Sequence, residues 1–238
     1  MVSRLRGRSL SDVAGLVILN ARFAVRALTP GEWKRRQAEK AFDRRWGTDT
    51  SSAVSLHALG VDRSRLVHCR KYEPSSDAMF QEPLRALRIA PRDYAFVDYG
   101  AGKGRVLMLA MLSGFQRVTG VEISARLCAV ARENLARFAE QNGRVPNARI
   151  VESDAGAFVP EGSHILAYLY NPFGRVILDE VRRQLEGCLQ CGTKRIVVIY
   201  ANPEHASVFS GSDIWEAGPV TPGTATFIAT SALASALS

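Results

Sequence analysis

The chain has 238 residues, 47% of them apolar and 23% charged, which excludes a disordered or collagen-like polymer and suffices for one large α/β domain with an extension. Net charge is +8, of which residues 1–50 carry +6 and residues 51–238 carry +2. The basic character therefore belongs to the N-terminal segment, where it marks either a solvated basic helix or a contact with an anionic partner such as RNA, a membrane face or an acidic protein.

Residues 11–28 have the period of an amphipathic helix, with Ser11 or Asp12 as cap and Thr29-Pro30-Gly31 as stop. Docking on the body of the protein is favoured over lying on a membrane. The apolar run Val13 to Leu19 is too short to span a bilayer, and no small-residue cleavage site follows it. Residues 31–46 form a second, charge-rich helix with Trp33, Phe42 and Trp46 as anchors, and a polar loop over 47–52 follows. Residues 1–50 are expected to be a basic helical arm, 51–92 a lead-in and 93–238 the main domain. In the lead-in, Pro74 keeps Glu73 extended, and Ser75 or Ser76 caps a helix over 77–87 in which Pro83 marks a break or a fresh start.

From residue 93 strands and helices alternate, which predicts a doubly wound, mainly parallel sheet covered on both faces. The strands are Ala95–Tyr99, Arg117–Ile123, Ala148–Glu152, His164–Tyr170 and Arg195–Tyr200. Helices cover 105–113, 125–141 and 175–189. Ser124 caps the second of these, and Gly143 lies past its end. The tail offers a segment over 213–216 and a strand over 224–230, expected to pair antiparallel at the edge. Four cysteines, Cys69, Cys128, Cys188 and Cys191, make no disulfide scaffold and fit a reducing, cytoplasmic setting. Cys188 and Cys191 have CxxC spacing but lie at a helix end without a second pair, so they read as structural.

The densest chemistry lies in Phe96-Val97-Asp98-Tyr99-Gly100-Ala101-Gly102-Lys103-Gly104-Arg105. A strand breaks into glycines and continues as an apolar helix, so a ligand can approach bare backbone beside a helix N-terminus. The pattern D-x-G-x-G-x-G puts Arg105 where a dinucleotide fingerprint has its third glycine. It resembles motif I of class I S-adenosylmethionine-dependent methyltransferases. Further acids follow at strand ends in the same order: Glu122, in Val121-Glu122-Ile123-Ser124, and Asp154, in Ser153-Asp154-Ala155. The resemblance implies a seven-stranded, Rossmann-like methyltransferase sheet that binds S-adenosyl-L-methionine. Glu122 would take the ribose hydroxyls and Asp154 the adenine amino group. The implied cofactor site comprises Asp98, Tyr99, Gly100, Gly102, Gly104, Glu122, Ile123, Asp154, Ala155 and Asn171.

Tyr170-Asn171-Pro172-Phe173, at the end of the fourth strand, is similar to the N-P-P-aromatic motif of amino-group methyltransferases, with one proline in place of two. That likeness implies catalytic roles for Asn171, Pro172 and Phe173 and a nitrogen acceptor: a protein side chain, a nucleobase or a small amine. Phe42–Thr50, Tyr72–Ser76 and Tyr168–Phe173 also look like a bacterial group of such enzymes with no assigned substrate. The alternatives are a nicotinamide-dependent oxidoreductase, against which Arg105 and Asp98 count, and a non-catalytic module of the same fold.

Overall fold

The computed structural model describes residues 30–52, 77–143, 147–171 and 173–232. The expected helix over 11–28, the lead-in over 70–76 and Pro172 lie outside the described residues. Helix α1 spans Pro30–Trp46 and α2 spans Asp77–Leu87. Then come β1 (Ala95–Tyr99), α3 (Arg105–Leu112), β2 (Arg117–Glu122), α4 (Ala125–Asn142), β3 (Ala148–Glu152) and β4 (His164–Tyr170). The chain closes with α5 (Arg175–Gln190), β5 (Arg195–Ala201), α6 (Ser207–Ser210), β6 (Glu216–Ala217) and β7 (Thr224–Thr230). Short 3-10 turns occupy Pro91–Asp93 and Ala155–Ala157.

The seven strands lie in the order β3-β2-β1-β4-β5-β7-β6. The first five are parallel, and β7 runs antiparallel to both β5 and β6. The doubly wound, mainly parallel sheet expected from the sequence is therefore the architecture found. Its central strands are buried on both sides, which is why they read as continuous apolar runs rather than alternating ones. One face packs Phe96, Leu166 and Tyr168 against Phe80 of α2, Leu107 of α3 and Trp46 of α1. The other packs Val97, Ile165 and Leu169 against Leu178, Val181 and Leu185 of α5.

Local signals placed the helix ends. Ser124 Oγ accepts from Leu127 N at 3.4 Å to cap α4, and Gly143 leaves that helix at φ 64°. The expected break at Pro83 is corrected. α2 runs through it, because Phe80, Pro83 and Leu84 are all buried and their packing overrides the missing N–H. Cys188 is buried in α5, where burial pushes its thiol up to about 11. Among the described residues no helix is long and apolar enough to cross a membrane.

At Gly120 of β2 the side chains of Leu107 in α3 and of Ala101 fill the space that a Cβ would take. A Cβ there would stand 2.7 Å from Leu107 Cδ1 and 2.8 Å from Ala101 Cβ. Overpacking a filled core costs about 1–3 kcal/mol. Gly120→Ala should therefore lower the unfolding free energy by that amount, read in urea unfolding as a lower midpoint at unchanged slope.

Candidate functional site

Strand order reverses between β1 and β4, and in open α/β sheets a crevice opens beyond the carboxyl ends of the strands at such a point. The turn from β1 into α3 borders it. Gly100, Gly102 and Gly104 all have positive φ, at 81°, 54° and 84°. A β-branched side chain is a steric outlier in that region, so the glycines are needed for the path of the turn. Gly100 N and Ala101 N both donate to Val121 O, at 2.8 and 3.0 Å, which ties the turn to β2.

Two buried carboxylates sit together beside this turn. Asp98 pairs in register with Gly120, so Glu122, two residues further along β2, faces the same side of the sheet. Burial, followed by the charge of Glu122, pushes Asp98 up to about 8. Glu122 Oε2 accepts from Gly102 N at 3.0 Å, and its Oε1 accepts from Ser124 N at 2.9 Å. Burial raises Glu122 above the ordinary carboxylate value even though the N–H groups of Ser124, Gly102 and Ile123 oppose it. Such a pair is costly in an empty crevice and becomes favourable beside a cation or a diol.

The remaining predicted residues fall around the same edge. Ser153 N donates to Glu122 O at 3.0 Å, which brings the start of the β3 loop against the end of β2. Asp154 Oδ1 accepts from Gly156 N at 3.0 Å and caps the turn containing the buried Ala155. Ile123 is half-buried. Tyr99 is fully buried and points to the α5 side, with its ring 6.1 Å from that of Phe158. Its side chain thus belongs to the second core, and only its backbone borders the turn. Asn171 is 5% exposed at φ 38°, a strained backbone that Asn tolerates better than most residues. Its Oδ1 accepts from Tyr200 Oη at 3.0 Å. Phe173 is partly buried against the α5 core.

Sequence reasoning missed a latch on the outer side of the glycine turn. Lys103 is 2% exposed, and its Nζ donates to Asp49 Oδ2 at 3.1 Å, to Ser52 O at 3.0 Å and to Ser52 Oγ. Asn134 Nδ2 donates both to Lys103 O at 3.0 Å and to Asp49 O at 3.1 Å, while Asp49 N donates to Asn134 Oδ1 at 2.9 Å. Arg105 Nη2 donates to Asp77 Oδ1 at 2.9 Å and its Nη1 to Thr50 Oγ1 at 3.2 Å. The Arg105 guanidinium also lies 4.2 Å from the Phe42 ring centre. Asp43 anchors the loop by accepting from Thr48, Thr50 and Ser51. Burial would raise its carboxyl, but the bonds from Ser51, Thr50 and Thr48 hold it below the usual value. The available signal was Arg105 itself. A cation at a helix N-terminus opposes the helix dipole and calls for a partner.

No family model matches the chain, and no curated protein matches it. Among solved structures it is similar to the ribosomal protein L11 methylase of Lactobacillus delbrueckii subsp. bulgaricus, at 16% identity over 64% of this chain and 77% of that one, with a TM-score of 0.46. It is also similar to magnesium protoporphyrin IX methyltransferase from Synechocystis PCC 6803, at 13% identity over 65% and 78%, with a TM-score of 0.45. These likenesses are distant, so the architecture rests on the strand order itself. Five parallel strands with an antiparallel seventh inserted beside the fifth form the seven-stranded, Rossmann-like sheet expected from the sequence.

Proposed function

We propose that the chain is an S-adenosylmethionine-dependent methyltransferase acting on a nitrogen acceptor. The observation that carries the reading is the pair Asp98 and Glu122, buried on one face of adjacent strands beside a turn of left-handed glycines. The cofactor brings an ammonium group, a sulfonium and a ribose diol, and two buried acids beside bare backbone fit that set of charges and hydroxyls. Three backbone N–H groups occupy most of the acceptor capacity of Glu122, and the carboxylate keeps a remaining lone pair for a ribose hydroxyl. Asp98 offsets positive charge, and Asp154 with Ala155 borders the position of the ring. A nicotinamide dinucleotide has no such cation beside Asp98, and Arg105 fills its third-glycine position.

The bound cofactor supplies an already activated methyl, so the chain's task is to orient the acceptor and exclude water. Asn171 is the orienting group. Tyr200 fixes its side chain through one lone pair of Oδ1 and leaves the second for an N–H of the acceptor. A neutral amine then needs no dedicated base. Calorimetry with S-adenosylhomocysteine and with NAD tests the cofactor. Binding of NAD alone overturns the reading. Product mass spectrometry with the methyl on oxygen or carbon overturns the nitrogen acceptor. Asn171→Ala should lower turnover by ~10-fold or more with little change in cofactor affinity, since one well-placed donor or acceptor in a dry site contributes a few kcal/mol.

A further inference from the structure

Helix α1 separates its charges by face. Phe42 and Trp46 are buried, Glu39 is 5% exposed and bonded to Arg35, and Asp43 is occupied by the loop that follows. On the opposite face, at the helical period, lie Trp33, Lys40 and Arg44, all exposed, with Trp33 at 62%. Lys40 and Arg44 stand one turn apart, about 6 Å along the axis.

The direction of this helix matters. Trp46 packs on Phe138, late in α4, with ring centres 4.7 Å apart. Because α4 starts at the carboxyl end of β2, Phe138 lies toward the opposite edge of the sheet. Glu39 O accepts from Arg105 Nη1 at 3.5 Å, at the start of α3 and next to the glycine turn. Read backwards from Trp46, the helix climbs to the ligand edge. Trp33 lies six residues before Glu39 and so extends about 9 Å beyond it.

We propose that the Trp33–Lys40–Arg44 face docks single-stranded RNA and leads a base toward the crevice at Asp98, Glu122 and Asn171. A row of cations in line with one flat ring is the pattern that holds a strand by its phosphates while a base stacks. Trp33 is the one exposed large apolar residue among the described residues of this helix, so it has no apolar face to enter a bilayer. Cellular polynucleotide that stays single-stranded is mostly RNA. Delivery to the crevice rests on the methyltransferase reading, whereas docking itself does not.

The test is fluorescence anisotropy of a short labelled single-stranded RNA with the full chain, at salt from about 50 to 200 mM. Each phosphate contact on a single strand contributes about −0.7 to the slope of log affinity against log salt. Lys40→Ala with Arg44→Ala should therefore flatten that slope by about 1.4, using the same scale. Trp33→Ala should weaken binding by about tenfold, the size of one lost base stack. All three positions are exposed, and circular dichroism together with an unchanged S-adenosylhomocysteine affinity verifies that the variants are folded. Absence of RNA binding, or binding indifferent to these substitutions, overturns the proposal. So does preference for phosphatidylserine vesicles or polyglutamate over RNA. RNA binding by a chain that ignores S-adenosylhomocysteine keeps the docking face and removes the methyltransferase reading.

Discussion

Glu122→Ala should weaken S-adenosylhomocysteine binding by about 100-fold and leave the sheet folded. Each partner lost from a buried hydrogen bond costs about 1–3 kcal/mol, and more when one side is charged. Here the ribose loses a charged acceptor in a buried site. The substitution also releases Gly102 N, which Glu122 Oε2 holds at 3.0 Å, so the turn loses its inner anchor. Glu122→Gln separates the two effects. It keeps one accepting oxygen but turns an NH2 toward backbone N–H groups, so it should fall between wild type and alanine. A loss below about twofold for alanine, against the 1–3 kcal/mol expected for one bond, makes Glu122 a loop acid that merely braces the turn.

The second large effect is on pH. Burial, then the charge of Glu122, pushes Asp98 up to about 8. A cationic ligand prefers the ionised carboxylate. Well below that value each pH unit removes about tenfold of the ionised form, so cofactor affinity should rise about 50-fold between pH 6 and pH 8 and about twofold more above pH 8 before levelling off. Stability of the unliganded chain carries the opposite sign. The folded state binds this proton more tightly than the unfolded state does, so the contribution is full below the ordinary value of 3.8 and is lost as pH rises through about 8. Asp98→Asn should flatten both profiles. Affinity independent of pH across this window in the wild-type chain refutes a direct role for the Asp98 charge.

The strands of the parallel sheet were legible because each is an apolar run closed by glycine, proline or a polar cap, and the glycine turn and Glu122 were legible because they end such runs. Pro83 was misread because a proline rule is local, whereas the burial of Phe80 and Leu84 is not. α6, four residues long, is too short to carry a helical period. The latch was hidden for a different reason. Lys103 is 54 residues from Asp49 and 31 from Asn134, and pairing across such distances leaves no period in the sequence. Tyr200, which fixes Asn171 from β5, read only as one more apolar strand residue.

The place of β7 has a consequence during synthesis. Ile196, Val197, Val198, Ile199 and Tyr200 of β5 are fully buried, and one flank of that strand is paired only by β7. β7 follows β5 by more than twenty residues, so a ribosome that has just released β5 exposes an unpaired, wholly apolar edge until Thr224–Thr230 emerges. An edge of this kind is a template for pairing with a neighbouring nascent chain. Chains truncated between residues 201 and 224 should therefore aggregate through this edge, whereas chains that keep Thr224–Thr230 should not.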